Sequence, residues 1–196
     1  MHAPLDRDAF LALIQVKSTT LAQRQHMGEQ ALAFGLSKPA HVNEYYYLDG
    51  AAAILASMLN RWTGIDLKPS AEIVRQTWDD WLTLLIRTES FPHIEQFVCV
   101  ARTSLDRSEP PHIAMGEASD IGKVLPPGET APCMISMRLL LRQLRVNAAA
   151  AGIDLPKRLT VDPKDKVAYA NWRRDIDALR EAAGAHVAKT KPLAPA

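Results

Sequence analysis

From Asp49 to Ile86 apolar side chains recur at helical spacing, and this pattern restricts the chain to folds built on packed helices. The segment GAAAILASMLNRW places Ala52, Ile54, Leu55, Met58, Leu59 and Trp62 on one broad face, with Asp49 as its expected cap. Its alanines permit a neighbouring helix to approach closely. Gly64 ends that pattern. Leu67-Lys68-Pro69-Ser70 then opens a long core-facing helix at about residue 70, carrying Ile73, Val74, Trp78, Trp81, Leu82, Leu85 and Ile86. Trp62, Trp78 and Trp81 are expected to fill the joint between these two helices, because large rings at helical spacing are usually core.

Two shorter helices precede this pair. Residues 6 to 16 (DRDAFLALIQV) begin with an Asp cap and set Phe10, Leu13 and Ile14 on one side. Lys17-Ser18-Thr19 breaks the pattern. Thr19 or Thr20 then caps a second helix through about Phe34, which leaves Gln23, Arg24, Gln25 and His26 polar and gives a tight helix-turn-helix. Gly35 supplies a stop, Ser37-Lys38-Pro39 a turn, and Glu44-Tyr45-Tyr46-Tyr47-Leu48 a short β-prone run.

From residue 88 the texture changes to α+β. EQFVCVAR reads as a strand, SLDRSEPPH as a turn, and IAMGEAS as a weaker strand, making a hairpin. DIGKVLPPGETAP is loop-like and CMISM is a third apolar run. Residues 137 to 151 form an amphipathic helix with Arg138, Arg142 and Arg145 along one side, read as an exposed face in preference to a phosphate site. Residues 163 to 185 make a final helix, after which the Ala/Lys/Pro tail frays.

Composition narrows the function classes. With 47% hydrophobic and 23% charged residues the chain is globular, and 196 residues bury a core without disulfides or metals. A net charge of +1 gives no global reason to seek nucleic acid or anionic membrane, so any such binding must rest on a local patch. Cys99 and Cys133 lack CxxC spacing and are read as buried thiols, a facing pair forming a disulfide being the alternative. No metal motif, cofactor motif, membrane span or signal peptide is evident, so the protein is expected in the cytoplasm. His93 and His112 sit in loop-like stretches without a positioned partner, and Asp79-Asp80 point about 100° apart on a helix. No familiar catalytic motif is present, and an enzyme is not the expectation.

The order of helix, turn, helix, then GLSKPA, then NEYYYLDGAAAIL and LNRWTGIDLKPSAEIV, resembles the winged helix-turn-helix domain of MerR-like regulators over residues 6 to 77. The Arg-Tyr-Tyr-Glu type segment of that family is replaced here by MGEQALAFGLSKPAHVNEYYY. The resemblance implies a second helix that enters the major groove through Thr20, Gln23, Arg24 and His26, with a wing contacting DNA through Lys38, His41 and Tyr45. It implies a sequence-specific, double-stranded DNA-binding transcriptional regulator that works as a homodimer without a cofactor. Gln and Arg side chains have the chemistry to pair bidentately with adenine and guanine edges. Residues 1 to 70, however, carry as many acidic as basic side chains, so one domain alone would bind weakly.

The expected organisation is α+β and mostly helical. A winged helix-turn-helix occupies residues 1–87. A unit of short antiparallel strands and two helices, serving dimerisation or partner binding, occupies 88–187, with a flexible tail at 188–196. Two alternatives stand beside it: an assembly protein using the same scaffold without DNA, and a C-terminal ligand-binding or enzymatic domain with a pocket around His93, His112 or Cys133.

Overall fold

Each helix boundary has a local cause, and together they place eight helices around a three-stranded sheet in the computed structural model, which describes residues 4–32, 45–102, 111–125 and 130–189. Helix α1 (Arg7–Ile14) starts where the Asp6 side chain accepts the Ala9 N–H at 2.7 Å. It stops at Gln15, which adopts the left-handed conformation at φ 56°. Helix α2 (Ser18–His26) follows directly. It ends well short of the expected Phe34 because Met27 caps it and Gly28 takes a φ of 71°, which glycine adopts without the steric penalty of a side chain.

Helix α3 (Tyr47–Thr63) begins before Asp49. Asp49 therefore acts from the first turn, its buried carboxylate accepting the Tyr46 N–H at 2.9 Å, rather than as the expected cap. The single long helix expected from residue 70 is two: α4 (Leu67–Gln76) and α5 (Trp78–Ser90). At the break, the Thr77 hydroxyl donates back to the Ile73 carbonyl at 2.8 Å, and the Trp81 indole N–H donates to the Val74 carbonyl at 2.9 Å. A side chain thus satisfies a carbonyl that a continuous helix would have used. Trp78 and Trp81 are buried and meet edge to face at 4.7 Å, but Trp62 stays outside this joint with 43% of its surface exposed.

Strands β1 (Phe97–Arg102), β2 (His112–Gly116) and β3 (Thr130–Ser136) form an antiparallel sheet in the order β2-β1-β3. Alternation sorts the two faces: Val98, Val100 and Ile135 join the main core, while Cys99 and Ala114 turn to the opposite face. That second face is covered by α6 (Ala118–Val124) through Ile121, a helix where a loop was expected. Helix α7 (Met137–Ala150) starts at the Ser136 hydroxyl, which accepts the Leu139 N–H at 3.2 Å. Helix α8 (Lys166–Lys189) completes the chain's described part.

The expected division near residue 87 does not part the hydrophobic interior. One cluster takes Leu13, Leu55 and Leu82 from before it and Ile135, Leu140 and Leu144 from after it, each at most 1% exposed. At its centre α1, α3 and α7 come so close that a methyl group on Gly50 would lie 2.7 Å from Leu13 Cδ2 and 3.4 Å from Leu144 Cδ1. The buried Asn147 side chain of α7 donates to the Leu13 carbonyl of α1 at 2.9 Å, supplying an orphan carbonyl of that helix end with a partner. Glu89, whose side chain is 5% exposed, gathers the segment after α7 by accepting from the Leu159 N–H, the Thr160 N–H and the Thr160 hydroxyl.

Leu144→Ala should cost about 2–5 kcal/mol, since it empties a site that three helices share and that cannot collapse freely. Urea denaturation followed by tryptophan fluorescence and by far-UV circular dichroism should give one coincident transition, shifted to lower denaturant. Two separated transitions would show that the shared interior does not couple the halves.

Candidate functional site

Helix α2 is nine residues long and is pinned by one fully buried side chain, Leu21. The rest of its surface faces outward: Thr19, Gln23 and His26 are exposed, while Thr20 and Arg24 are half-buried along its flanks. Arg7 of α1 donates to the Ser18 hydroxyl at 3.1 Å and ties the start of α2 to the preceding helix. Gln23 makes a long contact to the sulfur of Met27 at 3.9 Å. Arg24 forms no ion pair with any described residue. The chemistry on this face is amide, hydroxyl, imidazole and one guanidinium, all donors or acceptors within reach of an external surface.

The structure thus brings Thr20, Gln23, Arg24 and His26 onto one short helix. Tyr45 lies elsewhere: it is 3% exposed, and its ring stacks on Phe10 at 4.0 Å between centroids. Tyr45 also pairs its backbone with Leu5 in an antiparallel bridge, at 2.6 and 2.9 Å. Its ring is core material and has no surface to offer a wing contact. Lys38 and His41 lie outside the described residues.

The arginine stripe of α7 is largely committed within the fold. Arg138 pairs with Glu95 at 3.1 Å and donates to the Pro92 carbonyl at 2.6 Å. Arg145 donates to the Pro156 and Lys157 carbonyls at 3.2 and 2.5 Å. Arg142 is exposed and, unlike Arg138 and Arg145, forms no ion pair with any described residue. A second charged cluster joins α5 to α8, where Asp79 receives Arg173 and lies 3.5 Å from Arg180, whose guanidinium also covers the Trp78 ring at 5.1 Å. These contacts hold helices together and leave little for a ligand.

Residues considered for catalysis are scattered. His93 is exposed after α5 and meets Phe91 edge-on at 6.4 Å; His112 is exposed at the start of β2; Cys133 is half-buried in β3. Among the described residues no group of three or more His, Cys, Asp and Glu could hold a metal ion. Cys99 and Cys133 sit on adjacent strands, but Cys99 opposes Met134 while Cys133 opposes Val100, so alternation turns them to opposite faces. Neither forms a disulfide. No described helix is long and apolar enough to cross a membrane.

The sequence reading missed a cavity of about 140 Å³ between the end of α1, the outer face of α3 and the middle of α7. Gln15, Arg61 and Trp62 stand at it. Trp62 was assigned to the core by its spacing, and nothing in the local sequence announces that Gln15 leaves the helix with a positive φ. No family model and no curated protein matches the chain.

Burial pushes the Cys133 thiol above its ordinary range, which lowers its thiolate fraction at neutral pH. Alkylation by iodoacetamide at pH 8, followed by mass spectrometry, should therefore modify Cys133 more slowly than glutathione and leave Cys99 untouched until denaturant is added. A Cys133 that reacts faster than glutathione would reveal an activated nucleophile, for which the described residues supply no base.

Proposed function

We propose that this chain binds double-stranded DNA in a sequence-specific manner through α2, as a winged helix-turn-helix transcriptional regulator acting as a homodimer. The observation that carries the reading is the outward face of α2, where Gln23 and His26 are exposed and Arg24 forms no ion pair with a described residue, while one leucine anchors the helix. An α-helix with its side chains is about 10–12 Å across, which matches the ~12 Å width of the major groove. Gln23 offers an amide fork suited to adenine, Arg24 a guanidinium suited to guanine or phosphate, and Thr20 a hydroxyl and methyl suited to phosphate or thymine. Helix α1, which packs against α2, would supply the support, with register fixed by dimer spacing.

Charge is the constraint on this reading. From Asp6 to Glu29 acidic and basic side chains balance, so one copy contributes few phosphate contacts, and pairing two copies on two half-sites doubles them. Met27, 47% exposed beside His26, favours a second reading in which the same helix face docks on a partner protein.

Fluorescence anisotropy against DNA from upstream of the protein's own gene, with a scrambled duplex as control, separates the two. Submicromolar affinity for the native sequence is expected, falling steeply with added salt. Gln23→Ala should weaken binding by about tenfold and relax preference at one base position, a bidentate contact being worth roughly 1–3 kcal/mol. Absence of binding at low salt would end the DNA reading and leave α2 as a protein-docking surface.

A further inference from the structure

The cavity between α1, α3 and α7 has walls of two kinds. Ile14, Ile54 and Met58 make an apolar floor, and Trp62 stands at the rim with 43% of its surface in solvent, a large cost to leave uncovered. Its volume of about 140 Å³ compares with the ~150 Å³ apolar cavity known to admit benzene. The space is open to solvent, and its volume is the size of one six-membered ring.

The polar lining sets the charge of the occupant. Arg61 is the one charged side chain among the lining residues; it is exposed and forms no ion pair with any described residue, and no carboxylate lines the space. Gln15 and Ser57 add amide and hydroxyl groups. The deeper amides are already fixed: Gln143 donates to Asn147 Oδ1 at 2.8 Å, and Asn147 donates to the Leu13 carbonyl. This locked pair gives the site a rigid back, and such preorganisation reduces the entropic cost of binding. Gln15 occupies the positive-φ position at the end of α1, the one non-glycine residue so placed among the described residues, and non-glycine residues in such conformations concentrate at ligand clamps.

We infer that this cavity binds a small flat carboxylate, with the aromatic ring over Ile54 and Met58 and against Trp62, and the carboxylate paired with Arg61. The site stands independently of what α2 contacts. Arg61 and Trp62, in the last turn of α3, both line this opening. A guanidinium receives a carboxylate through two parallel N–H donors, which selects a planar anion over an alcohol or amine of the same shape.

Benzoate and indole-3-acetate test the inference, with benzylamine and benzyl alcohol as charge controls. Isothermal titration calorimetry on the full chain should show saturable one-to-one binding of at least one acid and at least tenfold weaker binding of both controls. The same acid should change tryptophan emission in the parent protein, and Trp62→Phe should abolish that change, since Trp78, Trp81 and Trp172 are buried. Arg61→Gln, at an exposed position where folding is verifiable by circular dichroism, should weaken the acid at least tenfold while leaving the controls unchanged. Failure of both acids to bind saturably at millimolar concentration, equal binding of benzylamine, or undiminished affinity in folded Arg61→Gln would overturn the assignment.

Discussion

The crossing of α1, α3 and α7 at Gly50 sets the geometry of everything around it. Because position 50 carries no side chain, Leu13 and Leu144 both press onto the backbone of α3, and three helices share one contact region. The buried bond from Asn147 to the Leu13 carbonyl then fixes α7 against the end of α1. An amide placed there without its carbonyl would be a buried polar group costing about 1–3 kcal/mol, so this bond specifies how the two helices align as well as holding them. The left-handed Gln15, the start of α2 and the cavity beside Trp62 all take their positions from it.

Charge plays a secondary and local part. The pairs Arg158–Asp162, Lys123–Asp120 and Arg75–Glu72 lie within short sequence distance on half-buried or exposed surface, where an ion pair within reach of solvent is worth little. Glu89 differs, because its carboxylate is enclosed and answered by two backbone N–H groups, a hydroxyl and the nearby Arg145. It organises the irregular segment between α7 and α8 much as a cap organises a helix end. Against this background, Arg24 on α2 and Arg61 on α3 belong to the cations with no ion-pair partner among the described residues.

The sequence made the α+β class, the helical first half and the three strands legible because each rests on periodicity or on a strong local signal. Phe97–Arg102 alternates between two covered faces, and the Asp6 cap announces α1. The break at Thr77 was hidden because α4 and α5 keep a common apolar pattern through it; only the tertiary bond from Trp81 to Val74 reveals that the backbone turns. Helix α6 was hidden by Gly122 and the prolines that follow, since its one buried anchor, Ile121, gives no periodicity to detect. For the site, exposure of Gln23 and His26 followed from composition of the helix face. Burial of Tyr45 did not, because its neighbours Tyr46 and Tyr47 are chemically identical and register alone decides which ring stacks on Phe10. Trp62 reversed the usual rule that a large ring at helical spacing points inward, and that reversal exposed the cavity.

The shared interior also bears on how such a chain could arise or be reused. A domain that travels between proteins carries its own sealed core, whereas here the leucines of α7 complete the layer begun by α1 and α3, and Ile176 of α8 closes it again farther along. Lifting out the first four helices would lift out an open face of aliphatic side chains. Evolution can therefore vary α2 more freely, because Leu21 is its one fully buried side chain, but it must change the helices on either side of residue 87 in concert.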